Sequence, residues 1–331
     1  MINPHLDGHA VVDVSCTHAQ SRTNGRLLGI DPGLFAANFN KRHFEIQHWL
    51  AGHPLFEIPR LLQLAREMAT QRPADIYYDA GVTSIGSRWG TSPSEFPVDQ
   101  TIERLETAGA WIDLKAAERS APYARVLNDC ISDLLQVSGR ELERKMRRKE
   151  MAIFLTSPKR LSTYHIDSEC NFLLQLRGEK NISIFPKDDR EVLPEEEIER
   201  SWAADTNAAV YKPHLQHRAS VIRLKPGSGV HIPVNAPHWV QNDDNISVSV
   251  AILYHSWHQE YLDLYGANYC LRKMGISPKP PFQSRWRDAV KRPLGAAALR
   301  LLAIRRGGHV RDSARNAPGV HDISPPSASG G

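Results

Sequence analysis

Four cysteines are all the chain has, and Cys16, Cys130, Cys170 and Cys270 stand far apart. Without a Cys-x-x-Cys pair, the spacing suggests neither a zinc knuckle nor a disulfide framework. Reduced thiols in a cytoplasmic protein are the simplest reading. No apolar run reaches the roughly 18 residues of a membrane span. The opening stretch MINPHLDGHAVVDVSC lacks a basic start followed by an apolar core, so no secretory signal is expected. A strong excess of one charge is missing too. The net charge of +4 over 331 residues is too slight to argue for nucleic acid. No internal repeat is present. What remains, 41% apolar and 24% charged residues, is the composition of a soluble globular protein long enough for a sizeable core.

The texture changes along the chain. Residues 1–28 are polar and aperiodic and read as a flexible lead-in. Residues 29–150 read as a mixed, mainly helical part. Leu61, Leu62, Leu64, Ala65 and Met68 recur at helical spacing and predict a helix ending near Gln71. A short strand is expected over 74–80, a loop rich in Gly, Ser and Pro to about Pro97, and helices over 98–118 and from 121 through Leu135. The charged run 140–150 reads as a solvated face. From Met151 to Trp257 the segments 151–157, 171–177, 181–186, 219–227, 229–234 and 245–254 are short, β-rich and bounded by turn residues. Strands so closely spaced suggest a sandwich or barrel. The acidic stretch 194–202 reads as a surface helical turn. Residues 258–312 read as C-terminal helices broken at Pro293, and 313–331 as a disordered tail.

The stretch STYHIDSECNFLLQLRGEK, residues 162–180, carries the chemistry. If 163–168 is extended, His165 and Asp167 share a face. They supply two ligands of a metal site. His238, in PGSGVHIPVNAPHWV, is the best candidate for a third. Two histidines and one carboxylate on one side of a metal form the facial triad of non-haem Fe(II) oxygenases, with the remaining positions open. In KNISIFP, Lys180, Ile182 and Ile184 share parity. A lysine on the apolar face of a barrel is costly unless it meets an anion. A strand-end lysine reaching out to solvent is the plain alternative.

Taken together, residues 162–186 resemble the JmjC-type, cupin-like Fe(II)/2-oxoglutarate oxygenases. They are most similar to the branch holding the asparaginyl hydroxylase of hypoxia-inducible factor and many bacterial cupin-like proteins. The residues that match are Ser162, His165, Asp167, Asn171, Phe172, Gln175, Leu176, Arg177, Gly178, Lys180, Phe185 and Pro186. The downstream segment ending in His238 and the upstream HPLF at 53–56 also match, and the resemblance spans 44–257. It implies a double-stranded β-helix, the cupin/JmjC jelly roll, with flanking helices. It implies His165, Asp167 and His238 as Fe(II) ligands, Lys180 on the remote carboxylate of 2-oxoglutarate, and Ser162 and Asn171 helping to hold that cosubstrate. Ser162 replaces the commoner threonine. On the strand after His238, where the asparaginyl hydroxylase has a cosubstrate-binding asparagine, the alignment sets Ala251. The function expected is oxygenation, most simply hydroxylation, of a protein, peptide or small molecule. The alternative is a cupin-like metal-binding or regulatory protein without turnover. A sugar-isomerase type of cupin would want a further ligand near His165, and Glu169 is the sole candidate.

The pairs His214/His217 and His255/His258 read as loop or surface histidines. His231 reads as a filler beside the distal ligand, Cys170 as an inert buried thiol, and Trp239 as packing behind His238. Residues 285–315 hold nine Lys/Arg against two Asp, which reads first as a solvated helix face. The apolar stripe of Leu294, Ala297, Ala298, Leu301 and Leu302 beside it, with the dimers formed by some relatives, raises the expectation of a homodimer.

Overall fold

The computed structural model describes residues 25–89, 94–255 and 258–305. In the N-terminal part lie strands β1 (Leu28–Gly29), β2 (Phe44–His48), β3 (Ile76–Asp79) and β4 (Trp111–Leu114). With them come helices α1 (Pro32–Asn38), α2 (Ile58–Gln71), α3 (Val98–Glu103) and α4 (Ala121–Lys145). The barrel strands are β5 (Arg147–Thr156), β6 (Leu161–His165), β7 (Cys170–Arg177), β8 (Lys180–Ile184), β9 (Ser220–Leu224), β10 (Ser228–Ile232), β11 (His238–Asn242) and β12 (Ser247–His255). Helix α5 (Glu195–Ala203) interrupts them, and α6 (His258–Lys273) and α7 (Arg285–Arg305) follow.

Eight strands form two antiparallel four-stranded layers, β5–β12–β7–β10 and β6–β11–β8–β9. The chain passes between the layers repeatedly, so the architecture is the double-stranded β-helix, or jelly roll. The first layer runs on into β2 and β1 beyond β10, and into β4 and β3 beyond β5. Strand β7 is buried on both faces, which is why CNFLLQLR reads as a continuous apolar run rather than an alternation. Phe172, Leu174 and Leu176 point outward into a core with α2 and α4, where Leu61, Leu64, Met68, Tyr123 and Leu134 are buried. Leu173 points inward and meets Ala152, Ile182, Ile184, Ile222, Val230, Ile232, Val240 and Ala251. Each such leucine, isoleucine, valine or phenylalanine, fully buried, contributes about 1.5–3 kcal/mol. The β7–β8 turn passes through Gly178 at φ 70°, where a Cβ would stand 2.0 Å from Asn245 Oδ1.

Several expectations need correction. The helix expected over 98–118 stops at Glu103, and 111–114 is strand β4. β4 pairs with β3 on one side and β5 on the other, and all four of its residues are buried. Ladder bonds on both edges outweigh a weak helical period. The charged run 140–150 divides between the end of α4 and the start of β5. Glu195–Ala203 is more than a surface turn, because Ile198, Glu199 and Trp202 are buried and Arg272 of α6 reaches Glu199 at 2.7 Å. Helix α7 continues through Pro293. It is clamped on α6 at Gly295, where a Cβ would lie 1.9 Å from the Asp263 carbonyl oxygen. Trp286, Val290 and Leu294 of α7 are exposed at four-residue spacing. The side chains of Ala298, Leu301 and Leu302, the lead-in 1–24 and the tail 313–331 lie outside the described residues. No helix among the described residues is long and apolar enough to cross a membrane.

Candidate metal and cosubstrate site

His165 and His238 face each other because the last residue of β6 pairs with the first of β11. Asp167 is not on the strand as expected. β6 ends at His165, and Asp167 stands in the β6–β7 turn. A second loop fixes it, since the amide of Asn235 donates to the Asp167 carbonyl at 2.9 Å. That loop is stiffened by Pro233 and Pro237 and turns at Asn235 with φ 62°, a left-handed conformation that asparagine tolerates. Trp202 Nε1 in turn donates to Asn235 Oδ1 at 2.8 Å.

The geometry meets the demands of a metal. Asp167 Oδ1 lies 3.6 Å from His165 Nε2, and Asp167 Oδ2 lies 3.7 Å from His238 Nε2. One donor atom from each of the three residues lies within 4.8 Å of the others. Donors sharing one ion at about 2.1 Å each stand about 3–4 Å apart. His165 Nδ1 is 2.7 Å from the Thr163 carbonyl oxygen, and His238 Nδ1 is 3.0 Å from that of Ala236. A carbonyl can only accept, so each Nδ1 carries the proton and each Nε2 presents a lone pair to the shared space. Burial, then the neighbouring His165, pushes the His238 imidazole down to about 4, which keeps it neutral and able to coordinate. Asn171 Nδ2 donates to Asp167 Oδ2 at 3.2 Å, while its buried Oδ1 has no partner. Asn171 therefore helps to orient the carboxylate.

A cavity of about 300 Å³ contains this cluster and extends to Ser162, Asn171 and Lys180. Lys180 is 4% exposed, on the inward face with Ile182 and Ile184. It has no hydrogen bond or ion pair among the described residues. Burial alone pulls its ammonium down to about 7. A buried lysine facing a cavity without a counter-charge is the mark of a missing anion. The snorkelling alternative does not fit such burial. The β12 wall of the cavity is Leu253, while Ala251 is packed in the barrel interior; both are apolar.

The remaining histidines separate cleanly. Glu169, weighed as an extra ligand, faces His255 at 3.6 Å instead and is not in the cluster. His217 bonds back to the His214 carbonyl at an exposed site. His231 uses both nitrogens, with Asn171 O at 3.1 Å and the Asn40 amide at 3.1 Å, and stacks on Phe39. Trp239 packs with Tyr164, Phe185 and Leu215 and donates to Gln216 at 3.1 Å. Cys170 is fully buried and burial pushes its thiol up to about 12.

Sequence reasoning missed the other side of the cavity. Tyr77, Trp89, Trp111 and Phe154 form an aromatic wall, and Trp89 stands edge-on to His165 with centroids 5.3 Å apart. Asp113, Glu150 and Glu169 line the same space. The signal available was Asp113 itself, an acid inside the apolar run AWIDL. The helical reading of that run hid it.

No protein-family profile matches the chain, and no curated protein matches it. Solved structures are similar at low identity. A structure of Escherichia coli YcfD is 13% identical over 85% of this chain and 70% of that one, with a TM-score of 0.47. The same protein, described as a ribosomal oxygenase, in complex with cobalt and 2-oxoglutarate is 13% identical over 86% of this chain and 69% of that one, with a TM-score of 0.43. Its complex with cobalt and succinic acid gives 13%, 86%, 69% and a TM-score of 0.42. These neighbours lend no support to the asparaginyl-hydroxylase branch in particular. At such scores they add nothing to what the strand order shows.

Proposed function

We propose that this chain is an Fe(II)- and 2-oxoglutarate-dependent oxygenase, a hydroxylase of a protein, peptide or small-molecule substrate. One observation carries the reading. An unpaired, buried Lys180 shares a cavity with a two-histidine, one-carboxylate cluster whose free donors converge.

His165, Asp167 and His238 would hold the iron. Iron bound there supplies the redox chemistry that couples oxidative decarboxylation of 2-oxoglutarate to insertion of one oxygen atom into the substrate. The residues of this chain do the rest. The two Nδ1–H groups, anchored on Thr163 and Ala236, keep the histidine rings in the tautomer that coordinates. Asn171 holds the Asp167 carboxylate in place. Lys180 pairs with the remote carboxylate of the cosubstrate, and the Ser162 hydroxyl adds a donor beside it. Ala152, Leu173, Val240 and Leu253 exclude water from the inner wall. The motif over 162–186 favours kinship with the asparaginyl-hydroxylase branch, as a finer part of the same proposal. Retention of the metal site without turnover is the second reading, and the apolar Leu253 on the β12 wall, with the apolar Ala251 in the barrel interior, favours it.

The test is an anaerobic titration of the iron-loaded protein with 2-oxoglutarate, followed by the metal-to-ligand charge-transfer band. The parent is expected to bind, and Lys180→Ala to keep iron but lose the cosubstrate. An affinity of Lys180→Ala within about threefold of the parent, or about 0.7 kcal/mol, overturns the reading. Succinate formation in air then separates turnover from binding alone.

A further inference from the structure

The acidic side chains that line the same cavity pose the opposite problem. Asp113 is 6% exposed, and its Oδ1 has no hydrogen-bond partner. Lys115 comes no nearer than 4.0 Å, and to the other oxygen. Glu150 lines the same cavity and makes no hydrogen bond or ion pair among the described residues. Glu169 has Ser168 as a donor and His255 at 3.6 Å. Of the basic residues around the rim, Arg119 is engaged by Asp75 at 2.7 Å and Arg148 is exposed. Burial first, and then the charges of Glu150 and Asp167, push the Asp113 carboxyl up to about 7 against the pull of Lys115. Lys180 makes no ion pair with any of these carboxylates among the described residues, and burial lowers its ammonium. Asp113, Glu150 and Glu169 make the acidic pole of the cavity.

Aromatic rings flank the acids. Trp111 lies between Trp89, with centroids 4.6 Å apart, and Phe154, at 5.4 Å, both tilted against it, and Tyr77 meets it edge-on at 5.5 Å. Ring faces attract a cation, and buried carboxylates with a spare oxygen need a donor. We infer that this pole receives a cationic group of the substrate, an ammonium or guanidinium, held against the Trp89–Trp111 wall by Asp113 and Glu150, with Glu169 as the third acid. The inference rests on the oxygenase reading and names its substrate class. Asp113 and Glu150 are then specificity-determining residues: a neutral donor of the same size supplies no charge to match them, and an apolar group also leaves Asp113 Oδ1 unpaired.

The experiment uses the full chain loaded with Mn(II) and 2-oxoglutarate, which does not consume the probe. The probes are the N-acetyl amides of arginine and lysine, against those of citrulline, norleucine and glutamate. Paramagnetic broadening of each probe's proton signals reports binding beside the metal. The cationic probes should bind about tenfold or more tightly than their neutral counterparts. Asp113→Asn should abolish that preference while manganese and 2-oxoglutarate still bind, and Glu150→Gln, at a more open position, should weaken it. Equal broadening by neutral or acidic probes overturns the inference. So does absence of any broadening when metal and cosubstrate are bound, which leaves the oxygenase reading standing. Failure of metal or 2-oxoglutarate to bind removes that reading and the inference with it.

Discussion

Two regions of this barrel bury polar groups, and they treat them in opposite ways. Along the β2–β10–β7–β12 side Gln175, His48 and His231 are answered. Gln175, fully buried, donates to Arg177 O, Gly178 O and Ser247 Oγ at 2.6–2.9 Å and accepts from Ser249 Oγ at 2.8 Å. His48 reaches Gln175 O at 2.9 Å and accepts from the Leu50 amide at 3.2 Å. His231 is satisfied in the same manner. Around the cavity the groups are left open: both Nε2 atoms of the ligand histidines, Asn171 Oδ1, Asp113 Oδ1 and the Lys180 ammonium. An unpaired buried polar group costs about 1–3 kcal/mol, more when charged. A fold gains nothing by keeping five of them in one place unless ligands complete them. Buried histidines thus sort by what the second nitrogen does, not by burial.

The contrast is broken most forcefully at the metal. Replacing His165, Asp167 or His238 singly by Ala should lower metal affinity by more than about 100-fold, the upper range for lesser, supporting partners. Metal content after gel filtration measures it. If all three variants keep stoichiometric iron, the open cluster is not a metal site.

Lys180→Met sharpens the contrast by moving two quantities in opposite directions. Cosubstrate affinity should fall by roughly two to three orders of magnitude, the cost of leaving one partner of a buried pair alone. The ligand-free protein should become more stable. The folded state holds the Lys180 proton less tightly than the unfolded chain, about 7 against the ordinary 10.5. Between those values the unfolded chain binds more protons, so stability rises with pH. The gain from Lys180→Met is therefore largest below about pH 7, roughly 5 kcal/mol as an upper figure, and fades toward pH 10. Urea unfolding at pH 6.5 and 9.5 measures both points. A destabilised Lys180→Met at both pH values would show the lysine to be structural.

On the answered side, Gln175→Leu should do the reverse. It strands the Ser249 hydroxyl and the Gly178 carbonyl and should cost about 2–4 kcal/mol of stability. Metal and 2-oxoglutarate affinities should stay within about twofold of the parent, below about 0.5 kcal/mol. Loss of cosubstrate binding in this variant, with the fold intact by circular dichroism, would erase the distinction between the regions.

Much of the open region could be read from local pattern. His165-x-Asp167, the parity of Lys180 with Ile182 and Ile184, and the turn-bounded β runs are short-range signals, and each survives folding. What escaped depends on neighbours far along the chain. Asp167 is aimed by a bond to Asn235, 68 residues on. β4 looked helical because its five-residue run has no period of its own, and its partners Phe154 and Tyr77 come from distant strands. Asp113 and the aromatic wall went with it. Pro293 reads as a break because a proline removes one helical bond. The close seat of Gly295 on α6 is invisible until both helices are placed.

The smallest effect expected is in the pH dependence of the answered side. Burial holds the His231 imidazole down at about 3 and that of His48 at about 4, so both are neutral in the fold at ordinary pH. In the unfolded chain an imidazole takes up its proton near pH 6.5. Below that value the unfolded chain binds more protons than the fold, and stability drops as pH falls. Between about pH 6.5 and 5 each buried histidine accounts for about 2 kcal/mol of that loss. In the metal-free protein His238 adds to it, and bound metal should suppress that part. His231→Gln keeps a donor and an acceptor near the Asn171 carbonyl and the Asn40 amide but cannot titrate. It should remove about 2 kcal/mol from the acid loss, read as the difference in urea-unfolding free energy between pH 6.5 and 5, and leave metal binding intact. An unchanged acid slope in His231→Gln would mean that His231 takes up its proton in the fold as readily as in the unfolded chain, and that a neutral, fully bonded imidazole is the wrong description of the region that sets the comparison.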